Sequence, residues 1–145
     1  MHPMDGLAGA MHWVGPDLAR QLDFIPDEKL DWKPAPDAKS ALACAAEAAY
    51  VMRGALELLD GNPFKLEIPE NLTREQVQEA LRTNSVEYAG RLAQFPPERL
   101  GESVVTPFAT MPWQQMLTYV VIEAAHHRGQ VCYIQTLLGD TKLHF

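Results

Sequence analysis

Glu123 and His127 stand four residues apart in the run TMPWQQMLTYVVIEAAHHRGQVCYIQTLLG, residues 110–139. Helical spacing places them one turn apart on a stripe that also holds Met116, Val120, Val131, Ile134 and Leu138. That stripe is apolar apart from these two. An ionised carboxylate drawn out of water costs on the order of several kcal/mol unless something compensates it, so the pair predicts a partner: a proton, an ion pair or a metal. Glu47 has the same character. It is the lone charge between Ala41 and Met52, and its stripe of Cys44, Tyr50, Val51, Gly54 and Leu58 otherwise reads as a core face. If the two helices face each other, Glu47, Glu123 and His127 converge, and two carboxylates with one imidazole form a competent set for one divalent ion. Such triads leave coordination positions open for water or substrate. The same residue types also occur as ordinary semi-buried pairs, so spacing alone leaves metal binding and structural pairing both open.

The other reactive side chains divide in the same way. Cys44, one turn before Glu47, suits a nucleophile or soft ligand and equally a small core residue. Tyr50 and Tyr119 suit hydrogen bonding to a ligand or simple packing. His126 is turned about 100° from His127 by helix geometry, toward a helix seam or solvent. His2, His12 and His144 read as solvated. Gly129, inside a helix, costs about 1 kcal/mol relative to alanine, which predicts a close neighbour.

Four helical segments must position these groups. The last has Thr110 as N-cap, Pro112 in its first turn and Gly139 as its stop. Ser40 caps an alanine-rich helix over 41–59, ended by Asp60-Gly61 and predicted to be buried among close neighbours. Thr73 and Gln76 form a capping box for a third helix to about Gln94, with Val77, Leu81, Val86, Tyr88 and Leu92 inward. The first segment, Asp5 to Phe24, directs Trp13, Leu18, Leu22 and Ile25 to the core, with Gly15-Pro16 kinking it or delaying its start. A proline-rich connection covers 25–39, with Trp32 packing on the helices, and Ser103 to Thr106 reads as a short extended piece. The whole predicts an all-α, antiparallel four-helix bundle forming one domain over residues 1–145, with sites built from inward side chains of facing helices.

Composition narrows the partners. A net charge of -7 and a pI of about 5.1, without a Lys/Arg cluster, speak against nucleic acid. The most apolar run, Met116 to Ala125, is too short to span a membrane and carries Glu123. Cys44 and Cys132 lie in helical surroundings behind an N-terminus with no secretory pattern, which predicts a cytoplasmic protein with unpaired thiols. There is no Gly-rich phosphate loop, CxxC pair or nucleophile elbow.

The segment His126-His127-Arg128-Gly129-Gln130, followed by an apolar run and Leu137-Leu138-Gly139, resembles the C-terminal signature of the DinB/YfiT-like family of metal-binding four-helix bundles. LDWKPAPDAKS, residues 30–40, resembles that family's connection between its first two helices, and Thr106-Pro107-Phe108 resembles its loop before the last helix. The resemblance implies a divalent metal, often nickel or zinc, held by one histidine on the second helix and two, four apart, on the last. His127 matches the final histidine, whereas Glu47 and Glu123 stand at the other two positions. Carboxylates favour harder ions such as manganese, iron(II) or magnesium, so the departure implies a retuned site or a lapsed one. Both replacements being potential ligands favours retuning. The resemblance further implies a homodimer and a small-molecule substrate, with a metal-dependent transferase or hydrolase using a low-molecular-weight thiol or metal-bound water. Its alternative is a non-catalytic dimeric bundle with a degenerate site and stress-related ligand binding.

Overall fold

Alanine and glycine govern how closely the helices of this protein approach one another. A computed structural model describes residues 1–145, and four helices dominate it: α1 Asp5–Gln21, α2 Ala41–Leu59, α3 Arg74–Gln94 and α4 Trp113–Leu137. The buried face of α2 is largely alanine, with Ala41, Ala45, Ala48 and Ala49 almost fully covered. Small side chains there let both neighbours, α3 and α4, come close. At the α1/α3 seam the approach is closer still. A Cβ added at Gly15 would lie 2.2 Å from the Ser85 Cβ, so only glycine fits.

The predicted four-helix bundle is the architecture that forms, although only two of its four neighbouring pairs, α1/α3 and α2/α4, are antiparallel as expected. Helices α1 and α2 each pack on both α3 and α4, and they lie diagonally across the core from each other. Side-chain pairs give the directions. The Gln78 amide donates to the Ala19 carbonyl while Ser85 meets Gly15, so α1 and α3 run antiparallel. Arg128 pairs with Asp17 and Gln135 donates to the Gln21 carbonyl, so α1 and α4 run parallel. Asn84 donates to the Ala49 carbonyl and Arg91 pairs with Asp60, so α2 and α3 are parallel too. It follows that α2 and α4 are antiparallel. Parallel neighbours in sequence require a connection that returns the length of the bundle, and residues 60–73 supply it. This strap rests on Gly54, where an added Cβ would meet the Lys65 carbonyl oxygen at 2.5 Å and the Phe64 ring.

Local sequence explains most element boundaries. Ser40 accepts from the Ala43 N–H, and the Thr73/Gln76 capping box is complete. Helix α1 passes through Pro16 without a late start and continues as a 3-10 turn over Leu22–Phe24. The start of α4 differs from expectation. Thr110 does not cap it; Thr110–Pro112 is strand β2, paired antiparallel with β1, Ser103–Val105. Thr106 closes this hairpin, its hydroxyl donating to the Ala109 carbonyl and accepting from the Phe108 and Ala109 N–H groups. The first N–H groups of α4 find loop carbonyls instead of a cap, Trp113 donating to Glu102 and Gln114 to Leu100.

Two side chains face away from their predicted positions. Trp13 is 57% exposed, held under the Arg128 guanidinium 4.8 Å from its ring, and Val86 is 53% exposed. Nothing lies within 4 Å of a Cβ built on Gly129, so no neighbour in the chain accounts for that glycine. His2 and His144 are engaged rather than solvated: the His2 ring lies 2.7 Å from the Phe95 carbonyl, and His144 stacks on Phe24. His12 is exposed as predicted.

Candidate metal centre

The α2/α4 seam brings together the three residues singled out by their stripes. The donor atoms of Glu47, Glu123 and His127 all lie within 4.8 Å of one another. His127 Nε2 is 3.0 Å from Glu123 Oε1 and 3.4 Å from Glu47 Oε2. With ligand bonds of about 2.1 Å, neighbouring ligands stand about 3.0 Å apart around an octahedral ion and about 3.4 Å around a tetrahedral one, so both spacings suit a shared cation.

Burial differs from the expectation of two core carboxylates. Only the imidazole is fully covered, at 2% exposure, while the Glu47 and Glu123 side chains keep 19% and 18%. They edge a cleft of about 450 Å3 whose walls include Pro34, Lys39, Cys44, Gln130, Tyr133 and Ile134. Partial solvation makes two neighbouring carboxylates affordable without a full set of partners.

The histidine is held from its far side. His127 Nδ1 lies 2.7 Å from Gln130 Oε1, one helical turn on. Both ring nitrogens therefore face acceptor oxygens, Gln130 on one side and Glu123 on the other. An N–H donated from Nδ1 to Gln130 would leave the Nε2 lone pair directed at the carboxylates, where only a cation or a second proton resolves the contact.

The surroundings sort the remaining candidates. Cys44 is buried at the cleft wall, and burial pushes its thiol up, with Lys39 pulling the other way and Glu47 adding to the rise. It is a protonated thiol and a poor nucleophile at neutral pH. Burial, then the Glu123 and Glu47 charges, push the Tyr119 phenol up as well. His126 is exposed and meets the His127 ring edge-on, centroids 5.2 Å apart. Tyr50 lies outside this cleft, lining a separate polar depression with Arg53 and Glu57. Both cysteines are free.

Two contacting residues were not singled out from the sequence. Gln130 is three residues past His127, so helical spacing carried its signal. Lys39 comes from the irregular connection before α2 and forms an ion pair with Glu47 Oε2, a placement no periodicity announces.

The sequence model of the DinB superfamily matches residues 10–131. The chain belongs to the DinB superfamily. Two solved DinB structures have the same fold. A DinB-like protein from Bacillus subtilis is 20% identical, with a TM-score of 0.72 over 98% of this chain and 96% of that one. A protein described as belonging to the DinB family, from Exiguobacterium sibiricum, is 21% identical, with a TM-score of 0.71 over 99% of this chain and 97% of that one. No curated protein matches the chain. As a DinB-superfamily member it shares the helical bundle of these two, while the residues in its α2/α4 cleft are its own to interpret. No helix in it is long and apolar enough to cross a membrane.

Proposed function

We propose that this DinB-superfamily protein binds one divalent cation through Glu47, Glu123 and His127 and uses it on a small molecule held in the adjoining cleft. The observation that carries the reading is the His127 ring, buried with acceptor oxygens against both nitrogens. With Nδ1–H donated to Gln130, the ring is fixed in the tautomer that offers Nε2 to a cation, and the two carboxylates cancel a dipositive charge. Manganese, iron(II), zinc and nickel are the candidates, the carboxylates favouring the harder pair.

A bound cation would supply acidification of a thiol or water molecule. The chain's own part is to fix the imidazole through Gln130, to set the site's charge with two glutamates, and to offer an open wall to substrate. In the thiol variant of this reading the sulfur comes from a small thiol cosubstrate in the cleft, since the Cys44 thiol is buried in the wall. The reading takes the form of a metal-dependent thiol transferase, with hydrolysis by bound water as its nearest variant. Two unpaired cysteines suit a reducing, cytoplasmic setting.

The rival reading turns the Gln130 amide so that its NH2 donates to Nδ1, leaving Nε2–H to Glu123 in a non-catalytic bundle. Metal analysis of tag-free protein, followed by titration with Mn2+ or Zn2+, separates the two. The proposal expects one ion per chain, a fall in melting temperature on chelation, and Glu123→Gln weakening binding by about tenfold or more. The rival expects no uptake and a Glu123→Gln variant as stable as the parent.

A homodimer is part of the proposal. Tyr119, Ile122, Tyr133 and Leu137 are exposed along one stripe of α4, with Gly129 among them. A second copy of α4 approaching there would account for a helical glycine that nothing within the chain explains.

A further inference from the structure

We propose that Lys39 is an internal counter-ion that occupies Glu47 until a divalent cation displaces it, so that this one residue sets the metal affinity of the site. The inference rests on the metal reading above and concerns a residue outside the ligand set.

Three observations carry it. The Lys39 ammonium pairs with Glu47 Oε2, the same oxygen that stands 3.4 Å from His127 Nε2. A cation joining that oxygen to the imidazole would come within about 2.2 Å of it and compete with the ammonium for the same carboxylate charge. The position of Lys39 is also unfavourable for a lysine. It immediately precedes the cap residue Ser40, at the positive end of the α2 dipole, where cations are disfavoured unless something compensates them. Glu47, further along α2, provides the compensation through its ion pair with Lys39. Finally, the Lys39 side chain is 52% exposed, so it can swing off Glu47 into the solvent at the cleft mouth at little cost, its backbone holding it beside the site.

Charge makes the exchange selective. Lys39 halves the charge of the carboxylate pair, and a dipositive ion gains about twice as much from replacing it as sodium or potassium does at the same distance. Once displaced, the ammonium stays at the cleft mouth and continues to repel the metal, so both effects of Lys39 lower affinity.

The test titrates chelator-stripped, tag-free protein with Mn2+ by calorimetry at low and high salt. Lys39→Met should bind Mn2+ about tenfold tighter at low salt, with a smaller gain at high salt. Lys39→Arg, which keeps the charge, should stay near the parent affinity. Equal or weaker binding by Lys39→Met, with the parent binding normally, overturns the counter-ion role and leaves the metal site standing. Absence of uptake by parent and both variants, all folded by circular dichroism, overturns the metal reading and this inference together. Lys39→Gln, which removes the charge but keeps polarity, should follow Lys39→Met; following the parent instead would overturn the role.

Discussion

Asp17 shows how much one buried charge does in the α1/α4 seam. Its carboxylate accepts from Arg128 Nε at 2.5 Å, Arg20 Nη2 at 2.5 Å and the Gln21 amide at 3.2 Å. Burial alone would raise its pKa, but these hydrogen bonds outweigh burial and hold the carboxyl below the usual range. A depressed folded value stabilises the protein above the unfolded value of about 3.9, and this contribution disappears as pH falls through the folded value. Asp17→Asn should therefore cost about 2–3 kcal/mol at pH 7, discounted for the partly exposed arginines, with the gap closing below about pH 4. Urea melts of both proteins across pH 3 to 7 check this; a constant gap would contradict it. Legibility at this scale depended on contrast. Glu47, Glu123 and His127 stood out because each interrupts an apolar stripe, and the structure brings them together. Asp17 and Lys39 were silent because neither falls on a stripe that reads as apolar, where a charge would stand out, whereas Gln130 was overlooked although its spacing from His127 carried a signal. Trp13 misled for the complementary reason: its ring is covered by the Arg128 guanidinium instead of by the core.

Helices were legible where the cap and the period agreed. Ser40, Thr73 and Gln76 carry their caps in the local sequence, and the structure uses them as expected. Thr110 had the right residue type but lies in β2, because the hairpin closed by Thr106 takes that stretch of backbone before α4 begins. That competition is between a local cap and a ladder whose partner lies outside the local window. Glycine needed the fold for its meaning. Gly15 and Gly129 look alike in the sequence, yet one is pressed against Ser85 and the other faces open space. Gly15→Ala should destabilise by about 1–3 kcal/mol despite alanine's better helix propensity, and a second change, Ser85→Gly, should restore much of the loss. Thermal melts of the single and double variants decide it; a Gly15→Ala protein as stable as the parent would mean that α1 and α3 do not touch there.

At the scale of the whole molecule, the bundle class followed from periodicity, whereas the order of neighbours did not. Amphipathic stripes specify that each helix has a buried side but not which helix covers it, and the parallel pairs arise from the long return over 60–73. Association lies at the same scale. The exposed stripe on α4 predicts a dimer by light scattering, and Ile122→Glu, which places a charge at its middle, should yield monomer with the helical spectrum unchanged. A parent protein that is monomeric at high concentration would remove this face from consideration.

The strap seated on Gly54 bears on a choice that the core by itself leaves nearly degenerate. Four apolar stripes of similar length can be wound around one another in either hand, and mirror-related windings bury similar surface. They differ in where the connections must run. By lying against α2 at Gly54, where an added Cβ would meet the Lys65 carbonyl oxygen, residues 60–73 fix the side of the bundle along which the return runs. A bulkier residue there would lift the return off α2, so the connection would no longer be seated along one side of the bundle.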